Sequence, residues 1–259
     1  MIEGLAQLLD MGEGALAGLA LVFMRVGGIV ALLPGFGEAS VPLRIRLGIA
    51  IAFTMAVWPM LAEDLIAVDP GRPFPVLMLI EAGIGLLLGL SFRLLVMALQ
   101  FAGSVAAQST SLAQLLGASV TPDPLPALGN ILVIGAITLA MISGLHVKAA
   151  IAMAGSYALL PLGAAPSGAD VAAWGTARVA DAFAFGFTLA APFVIAAFVY
   201  NVALGAINPA MPQLMVAFVG APAITAASIL ILLLAAPVIL GVWNGRLDAL
   251  LSAPLGMPR

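Results

Sequence analysis

The chain has 259 residues, of which 63% are hydrophobic and 8% are charged, with a formal net charge of −3 and a mean hydropathy of +1.21. Soluble globular domains are about 25% charged, so this composition excludes an ordinary soluble domain and indicates a membrane protein with several spans. The absence of cysteine excludes disulfides and thiol chemistry. The slight negative charge provides no basic surface, so no nucleic-acid partner is expected.

Several apolar runs, rich in leucine and alanine, are predicted as helices because most exceed the length of a strand and end at proline or glycine. They cover residues 15–33, 47–61, 76–107, 127–145, 149–162, 182–204 and 216–242. Segments that carry turn signals lie at residues 34–42, 68–75, 121–126, 165–170 and 208–212. Since one span needs about 20 apolar residues, we expect a single helical domain with about six spans.

The region 127–162 does not fit a simple bundle, because His146 and Lys148 mark either a hairpin corner or an interrupted helix. Lysine and arginine are also spread too evenly over alternate loops to orient six spans by the positive-inside rule. A simple up-and-down bundle in lipid is therefore not expected.

Charged residues interrupt the apolar runs at Arg25, Glu81 and Arg93. Each charge costs roughly 2.5–3.5 kcal/mol at the centre of a membrane helix, so such residues face protein or water. Two interpretations remain open. One is a structural ion pair of Arg25 or Arg93 with Glu81, and the other is a proton-coupled site.

Glycines at the spacing that lets helices approach closely occur as the pairs Gly14 and Gly18, Gly85 and Gly89, and Gly241 and Gly245. We interpret all of them as helix-packing positions. The stretch GIGLLLG, which contains Gly85 and Gly89, is not a dinucleotide-binding loop, since no strand precedes it and its spacing is wrong by one residue.

The sequence carries no catalytic or metal-binding motif. The single histidine, His146, leaves a zinc site of the usual kinds without ligands. Neither a Gly-x-Ser-x-Gly elbow nor a phosphate-binding loop is present. Ser109 and Ser111 lack a neighbouring base and are interpreted as helix-packing or pore-lining hydroxyls. We therefore expect no enzyme activity, no metal and no cofactor.

The run LQFAGSVAAQSTSLAQLLGASVTPDP, residues 99–124, is polar but carries no charge before Asp123. An aqueous loop would normally carry charges, and a helix that faces lipid would carry fewer polar groups. Its place near the middle of an apolar chain therefore needs a functional explanation.

Groups of residues in a fixed order carry a resemblance to a known family. The first is Arg25, Pro34, Glu38, Pro42, Arg44 and Arg46, and the second is Ala102, Gly103, Gln108, Asp123 and Pro124. They are followed by Gly144, His146, Ser156, Pro161 and Gly163, and by Asn201, Gly205, Asn208, Pro212, Gln213, Gly220 and Pro222. In order and spacing these residues resemble the FliR/SctT family of type III secretion export-gate proteins.

The resemblance implies an all-α membrane protein, with broken helices and helical hairpins, that forms one subunit of a helical export-gate assembly. Residues 1–180 would be a FliP-like helical part with a polar plug loop at about 104–124, and residues 181–259 a FliQ-like helical hairpin with a short C-terminal tail. The implied partners are FliP-like and FliQ-like subunits in a hetero-oligomer, FlhA-like and FlhB-like proteins, membrane lipid and exported unfolded polypeptide. The implied location is the bacterial inner membrane, within the flagellar basal body.

In this family context, the run 99–124 is interpreted as a loop that plugs the resting pore, because uncharged polar side chains desolvate more cheaply than ions. The plug residues would be Gly103, Ser104, Gln108, Ser109, Thr110, Ser111, Gln114, Gly117, Asp123 and Pro124, with Gly103 and Gly117 as hinges. The residues expected to contact partners are Pro42, Arg44, Arg46, Asn201, Asn208 and Gln213.

The implied function is passage of unfolded flagellar substrates through a FliP–FliQ–FliR channel across the inner membrane. Three alternatives remain open. An injectisome SctT subunit would differ only in cargo. A small-solute secondary transporter would also use broken helices and a buried Glu81. A structural membrane scaffold would explain the glycine packing but not the polar run.

Overall fold

The computed structural model describes the backbone of residues 2–61, 72–111, 127–207 and 216–256, and the side chains of residues 14–61, 72–109, 127–206 and 226–256. Within these ranges every regular element is a helix, which confirms the predicted all-α class. The helices are α1 (Ile2–Leu32), α2 (Leu43–Val57), α3 (Phe74–Ser111), α4 (Ala127–Ile142), α5 (Leu145–Leu159), α6 (Gly168–Ile207) and α7 (Val216–Ser252), with a 3-10 turn at Trp58–Met60.

The described helices agree with the expected number of spans. Five of them are long and apolar enough to cross a membrane, or six if α4 and α5 together form one broken span. Between α4 and α5 the helix axis bends by 77°. Gly144 at this break has a φ of 82°, a left-handed conformation that glycine adopts without steric cost. The region is therefore a bent pair of helices, which fits either a broken span or a re-entrant loop, and both sequence interpretations stay open.

Helix α6 begins well before the predicted run 182–204. Ser167 caps its start, since its Oγ accepts a hydrogen bond from the backbone N–H of Asp170 at 3.1 Å and donates one to the Asp170 carboxylate at 2.7 Å. Arg178 and Asp181 lower the hydropathy of the first turns but leave the backbone helical. The helix therefore continues across residues 180 and 181, where the family resemblance implies a domain boundary.

The chain divides into two compact units, each made of segments that are separated in the sequence, and the division into a FliP-like and a FliQ-like part stays a prediction. One unit comprises Met1–Arg93, Met141–Arg178 and Leu247–Arg259, and the other comprises Leu94–Ala140 and Val179–Arg246. In the second unit the Nε1 of the buried Trp243 donates to the Leu95 carbonyl at 2.9 Å. There Phe101 also packs edge-to-face on Phe183 and Phe187.

Glycines bring α1 and α3 into backbone contact in the first unit. A Cβ at Gly28 would lie 2.8 Å from the backbone nitrogen of Leu86, and one at Gly89 would lie 2.9 Å from the Gly28 carbonyl oxygen. At Gly85 it would collide with the backbone carbonyl of Arg25. The predicted packing role of Gly85 and Gly89 is confirmed.

The other glycine pairs do not all pack in this way. Around Gly14, Gly241 and Gly245, no atom of the described residues lies within 4 Å of an added Cβ. The packing prediction is therefore wrong for these three positions as contacts within the described chain, because four-residue spacing places glycines on one helix face but does not supply the neighbouring helix.

Candidate functional site

Two opposite charges are completely enclosed in the first unit, since the side chains of Arg25 on α1 and Glu81 on α3 are both 0% exposed. Arg25 Nε donates to Glu81 Oε2 at 2.6 Å, and Arg25 Nη2 donates to Glu81 Oε1 at 3.0 Å. The backbone N–H of Gly163, in the turn after α5, also donates to Glu81 Oε1, at 2.8 Å. This bidentate geometry is the strongest form of an arginine–carboxylate pair.

The far side of the Arg25 guanidinium is held by α5 and its C-terminal end. Arg25 Nη1 donates to the Leu160 carbonyl at 2.8 Å and to Ser156 Oγ at 3.4 Å. The guanidinium carbon lies 3.9 Å from the ring centroid of Tyr157, within cation–π range. These contacts and the Glu81 pair form what we call the buried ion-pair network, which joins α1, α3 and α5.

The network has a fixed polarity. The Leu160 carbonyl can accept a hydrogen bond but not donate one, and the Gly163 N–H can donate but not accept. A hydrogen-bond donor is therefore required on the α1 side and an acceptor on the α3 side. With both carboxylate oxygens of Glu81 bonded, this geometry favours the structural interpretation of the pair over a proton-coupled site.

Arg93, the second arginine considered for Glu81, lies elsewhere. Its Nη1 donates to Glu38 Oε1 at 3.0 Å and to Glu38 Oε2 at 3.1 Å. Glu38 lies in the turn between α1 and α2, and both side chains are only partly buried. Sequence reasoning missed this pair, since 55 residues separate the two charges and no local pattern links them.

The polar run corrects the predicted extent of the plug loop. Residues 99–111 belong to α3, so Gly103, Ser104, Gln108 and Ser109 are helical. Ser104 Oγ donates to the Gln100 carbonyl and Ser109 Oγ to the Ala106 carbonyl, both at 2.9 Å. The hydroxyls are thus satisfied within the helix itself, and their polarity does not require a loop.

Gly103 also differs from the expected hinge. A Cβ at this position would collide with the backbone of Gly129 on α4. Its lack of a side chain therefore allows close approach of α3 and α4. Thr110 and Ser111 complete the helix, and their side chains are outside the described residues. The remaining plug and partner residues also lie outside: Gln114, Gly117, Asp123, Pro124, Asn208 and Gln213.

Among the described partner residues, Pro42, Arg44 and Arg46 belong to the first unit and Asn201 belongs to the second. Pro42 is the N-cap residue of α2. Arg46 Nε donates to the Val41 carbonyl at 2.9 Å and so holds the turn before α2, whereas Arg44 is exposed. Asn201 lies on α6, where its Nδ2 donates to the Ala197 carbonyl at 2.8 Å.

Two further ion pairs were not predicted. In the first unit, Lys148 Nζ lies 2.7 Å from Asp248 Oδ1. In the second unit, Arg246 pairs with Asp181. Their only signal in the sequence was the presence of opposite charges in otherwise apolar helices. Among the described residues, no group of three or more His, Cys, Asp or Glu side chains could hold a metal ion.

Comparison with known proteins places these features in a family context. The model of the family described as "Bacterial export proteins, family 1" matches residues 16–250. The chain is 31% identical to the flagellar biosynthetic protein FliR of Caulobacter vibrioides over 242 residues, which cover 90% of this chain and 94% of that protein. It is 28% identical to the protein of the same name from Escherichia coli, over 77% of this chain and 76% of that protein. For the Pectobacterium carotovorum protein of this name the identity is 29%, over 84% and 83%.

Proposed function

The chain belongs to the bacterial export proteins, family 1, and from this premise we propose that it is the FliR-type subunit of the flagellar type III protein export gate. The observation that carries the proposal is the family match over residues 16–250, together with relatives that all bear the name flagellar biosynthetic protein FliR. In the proposed assembly the chain joins FliP-like and FliQ-like subunits in the inner membrane, within the flagellar basal body. The channel passes unfolded flagellar substrates.

The apolar surface of the second half of the chain supports a role as one subunit among several. The most apolar windows of α6 and α7 are only 28% and 22% buried within the chain. Large exposed apolar surfaces mark contacts with membrane or protein. Subunits and lipid together would cover these helices in the gate.

The proposed gate performs no chemistry on its cargo. We propose that the chain is not an enzyme and that energy and substrate selection come from FlhA-like and FlhB-like proteins and a cytoplasmic ATPase. In the resting state, part of the polar run 99–124, which carries no charge before Asp123, closes the pore. The corrected extent of α3 makes the helical part of this run, residues 99–111, the support of the plug.

The assembly is tested by native mass spectrometry of the tagged chain, extracted gently from its own host. We expect recovery as a minority subunit together with FliP-like and FliQ-like chains. Recovery with injectisome components would instead favour the SctT alternative. A monomer or homo-oligomer that binds a small solute would contradict the gate and support a transporter.

The plug is tested separately by deletion of residues 112–120, which leaves all of α3 in place. The matched control keeps the same residues in scrambled order, so that length and composition are unchanged. We expect the deletion to preserve assembly and to make the membrane permeable to small ions, whereas the control stays sealed. A sealed membrane with normal secretion in the deletion strain would rule out the plug.

A further inference from the structure

The exposed face of α2 combines one cation with an apolar stripe. Arg44, Gly48, Ile51 and Met55 lie at positions i, i+4, i+7 and i+11, which share one face of a helix. All four are exposed, as is the neighbouring Leu47. The membrane-span window that contains α2 is only 17% buried within the chain, so this face requires a covering partner.

At its C-terminal half this face opens into a groove. Ile51 and Met55 of α2 and Leu16, Leu19 and Phe23 of α1 line a cavity of about 210 Å³. It is too small for a helix, which is about 10–12 Å across with its side chains.

The groove offers no open hydrogen-bonding group. Its one polar lining residue is Thr54, whose Oγ1 already donates to the Ala50 carbonyl at 2.7 Å. A peptide backbone placed there would lose its hydrogen bonds to water without compensation. The part of the occupant that enters the groove is therefore hydrocarbon.

Arg44 supplies the complementary charge at the other end of the face. Among the described residues no carboxylate pairs with Arg44. At 1.5 Å per residue, it lies about 10 Å along the helix from Ile51 and about 16 Å from Met55. Gly48 lies between them, and no atom of the described residues lies within 4 Å of a Cβ added there, so this part of the chain leaves the path along the face open.

We propose that Arg44 and the α1–α2 groove form a binding site for an anionic phospholipid. The guanidinium binds the phosphate through paired hydrogen bonds, and one acyl chain runs over Gly48 into the groove. The separation of cation and groove matches an acyl chain, since one leaflet of the hydrocarbon core is about 15 Å thick. The site is independent of the export function proposed above.

The head-group contact is tested with full-length protein in detergent, by native mass spectrometry after addition of phosphatidylglycerol or phosphatidylcholine. Arg44→Gln should weaken retention of phosphatidylglycerol about fivefold and weaken retention of phosphatidylcholine less, because the choline cation offsets the charge of its phosphate. Lys148→Gln removes one positive charge away from the groove and should retain phosphatidylglycerol like the wild type. Equal retention by the two variants would overturn the proposal.

The acyl path is tested by filling it. Gly48→Leu should reduce retention of both lipids, because its side chain occupies the path from Arg44 to the groove. Gly155→Leu is the matched control, since Gly155 is also an exposed helical glycine with no atom within 4 Å of an added Cβ. Unchanged retention in Gly48→Leu would exclude this route for the chain.

A third measurement identifies the occupant in the host membrane. A photo-crosslinking amino acid in place of Leu47 should give an adduct with the mass of a phospholipid. An adduct with a protein would overturn the lipid proposal and assign the face to a subunit contact. Absence of any lipid adduct would overturn it as well.

Discussion

The Arg25 guanidinium can be fully buried because all three of its nitrogens donate hydrogen bonds. Glu81 and the Leu160 carbonyl accept the shorter ones, and the Tyr157 ring covers the guanidinium plane. A buried pair of this kind is not a large net source of stability, but removing one partner leaves an uncompensated charge. The stability of the protein should therefore be sensitive to any substitution that removes only one partner of this pair.

Replacement of Arg25 by Met should lower the free energy of unfolding by about 3–5 kcal/mol, because Glu81 would remain buried without its cation. Unfolding in detergent, followed by circular dichroism, measures the change. In the double variant Arg25→Met with Glu81→Gln, part of the loss should be recovered, since no buried charge remains and the Gln carbonyl still accepts from Gly163. A single variant as stable as wild type would show that the pair is dispensable.

Exchange of the two charges should not restore stability. With Arg25→Glu and Glu81→Arg, the anion would face the Leu160 carbonyl and the cation would face the Gly163 N–H. The Leu160 carbonyl would then face a second acceptor and the Gly163 N–H a second donor, so neither could form a hydrogen bond. The same unfolding assay checks this, and wild-type stability of the exchanged pair would mean that the backbone groups do not determine polarity.

At the level of elements, the α1–α3 contact depends on glycine at defined positions. Gly85 touches the α1 backbone, whereas Gly83, one half-turn away on the same helix, has no atom within 4 Å of an added Cβ. The two positions therefore separate the effect of packing from that of helix propensity.

Gly85→Ala should destabilise the protein by about 1–3 kcal/mol, because its Cβ collides with backbone that cannot rotate away. In Gly83→Ala stability should stay equal or rise, since alanine is favoured over glycine in a helix by up to about 1 kcal/mol. Thermal unfolding of both variants in detergent gives the comparison. If both shift the midpoint alike, close helix approach is not the role of Gly85.

The break between α4 and α5 is a second property of an element. Gly144→Ala should cost about 1–2 kcal/mol, the penalty of a left-handed conformation for a residue with a Cβ. No atom lies within 4 Å of that added Cβ, so the cost is one of backbone alone. Gly144→Asn should be milder because asparagine tolerates this region. Equal unfolding midpoints for glycine and alanine would contradict this account.

For the whole molecule, the exposed apolar side chains of α6 and α7 predict dependence on neighbouring subunits. Phe198 and Leu233 are among the most exposed. We expect the chain to reach a higher steady-state level when FliP-like and FliQ-like subunits are expressed with it, measured by pulse-chase in the host. Equal half-lives with and without these subunits would indicate that lipid alone covers these helices.

The sequence by itself determined the all-helical class, most helix positions and the family, because hydropathy, glycine and proline patterns act over neighbouring residues. It also identified Arg25, Glu81 and Arg93 as charges that need partners, since an unpaired charge is costly in any apolar setting. The hydropathy pattern missed two features, namely that α3 extends through the polar run to Ser111 and that α6 begins at Gly168. In the polar run the serine hydroxyls bond within their own helix, and at the start of α6 Ser167 caps the helix; hydropathy registers neither.

Only the tertiary structure decided which charges meet. The pairs Arg25–Glu81 and Arg93–Glu38 join residues 56 and 55 positions apart, and either arginine satisfied the same sequence pattern. The structure likewise decided that Gly85 packs against a neighbouring helix, whereas Gly241 meets no neighbour among the residues that the structure describes. The physical reason is common to these cases: a residue type states what contact it needs, whereas the arrangement of distant helices determines which neighbour provides it.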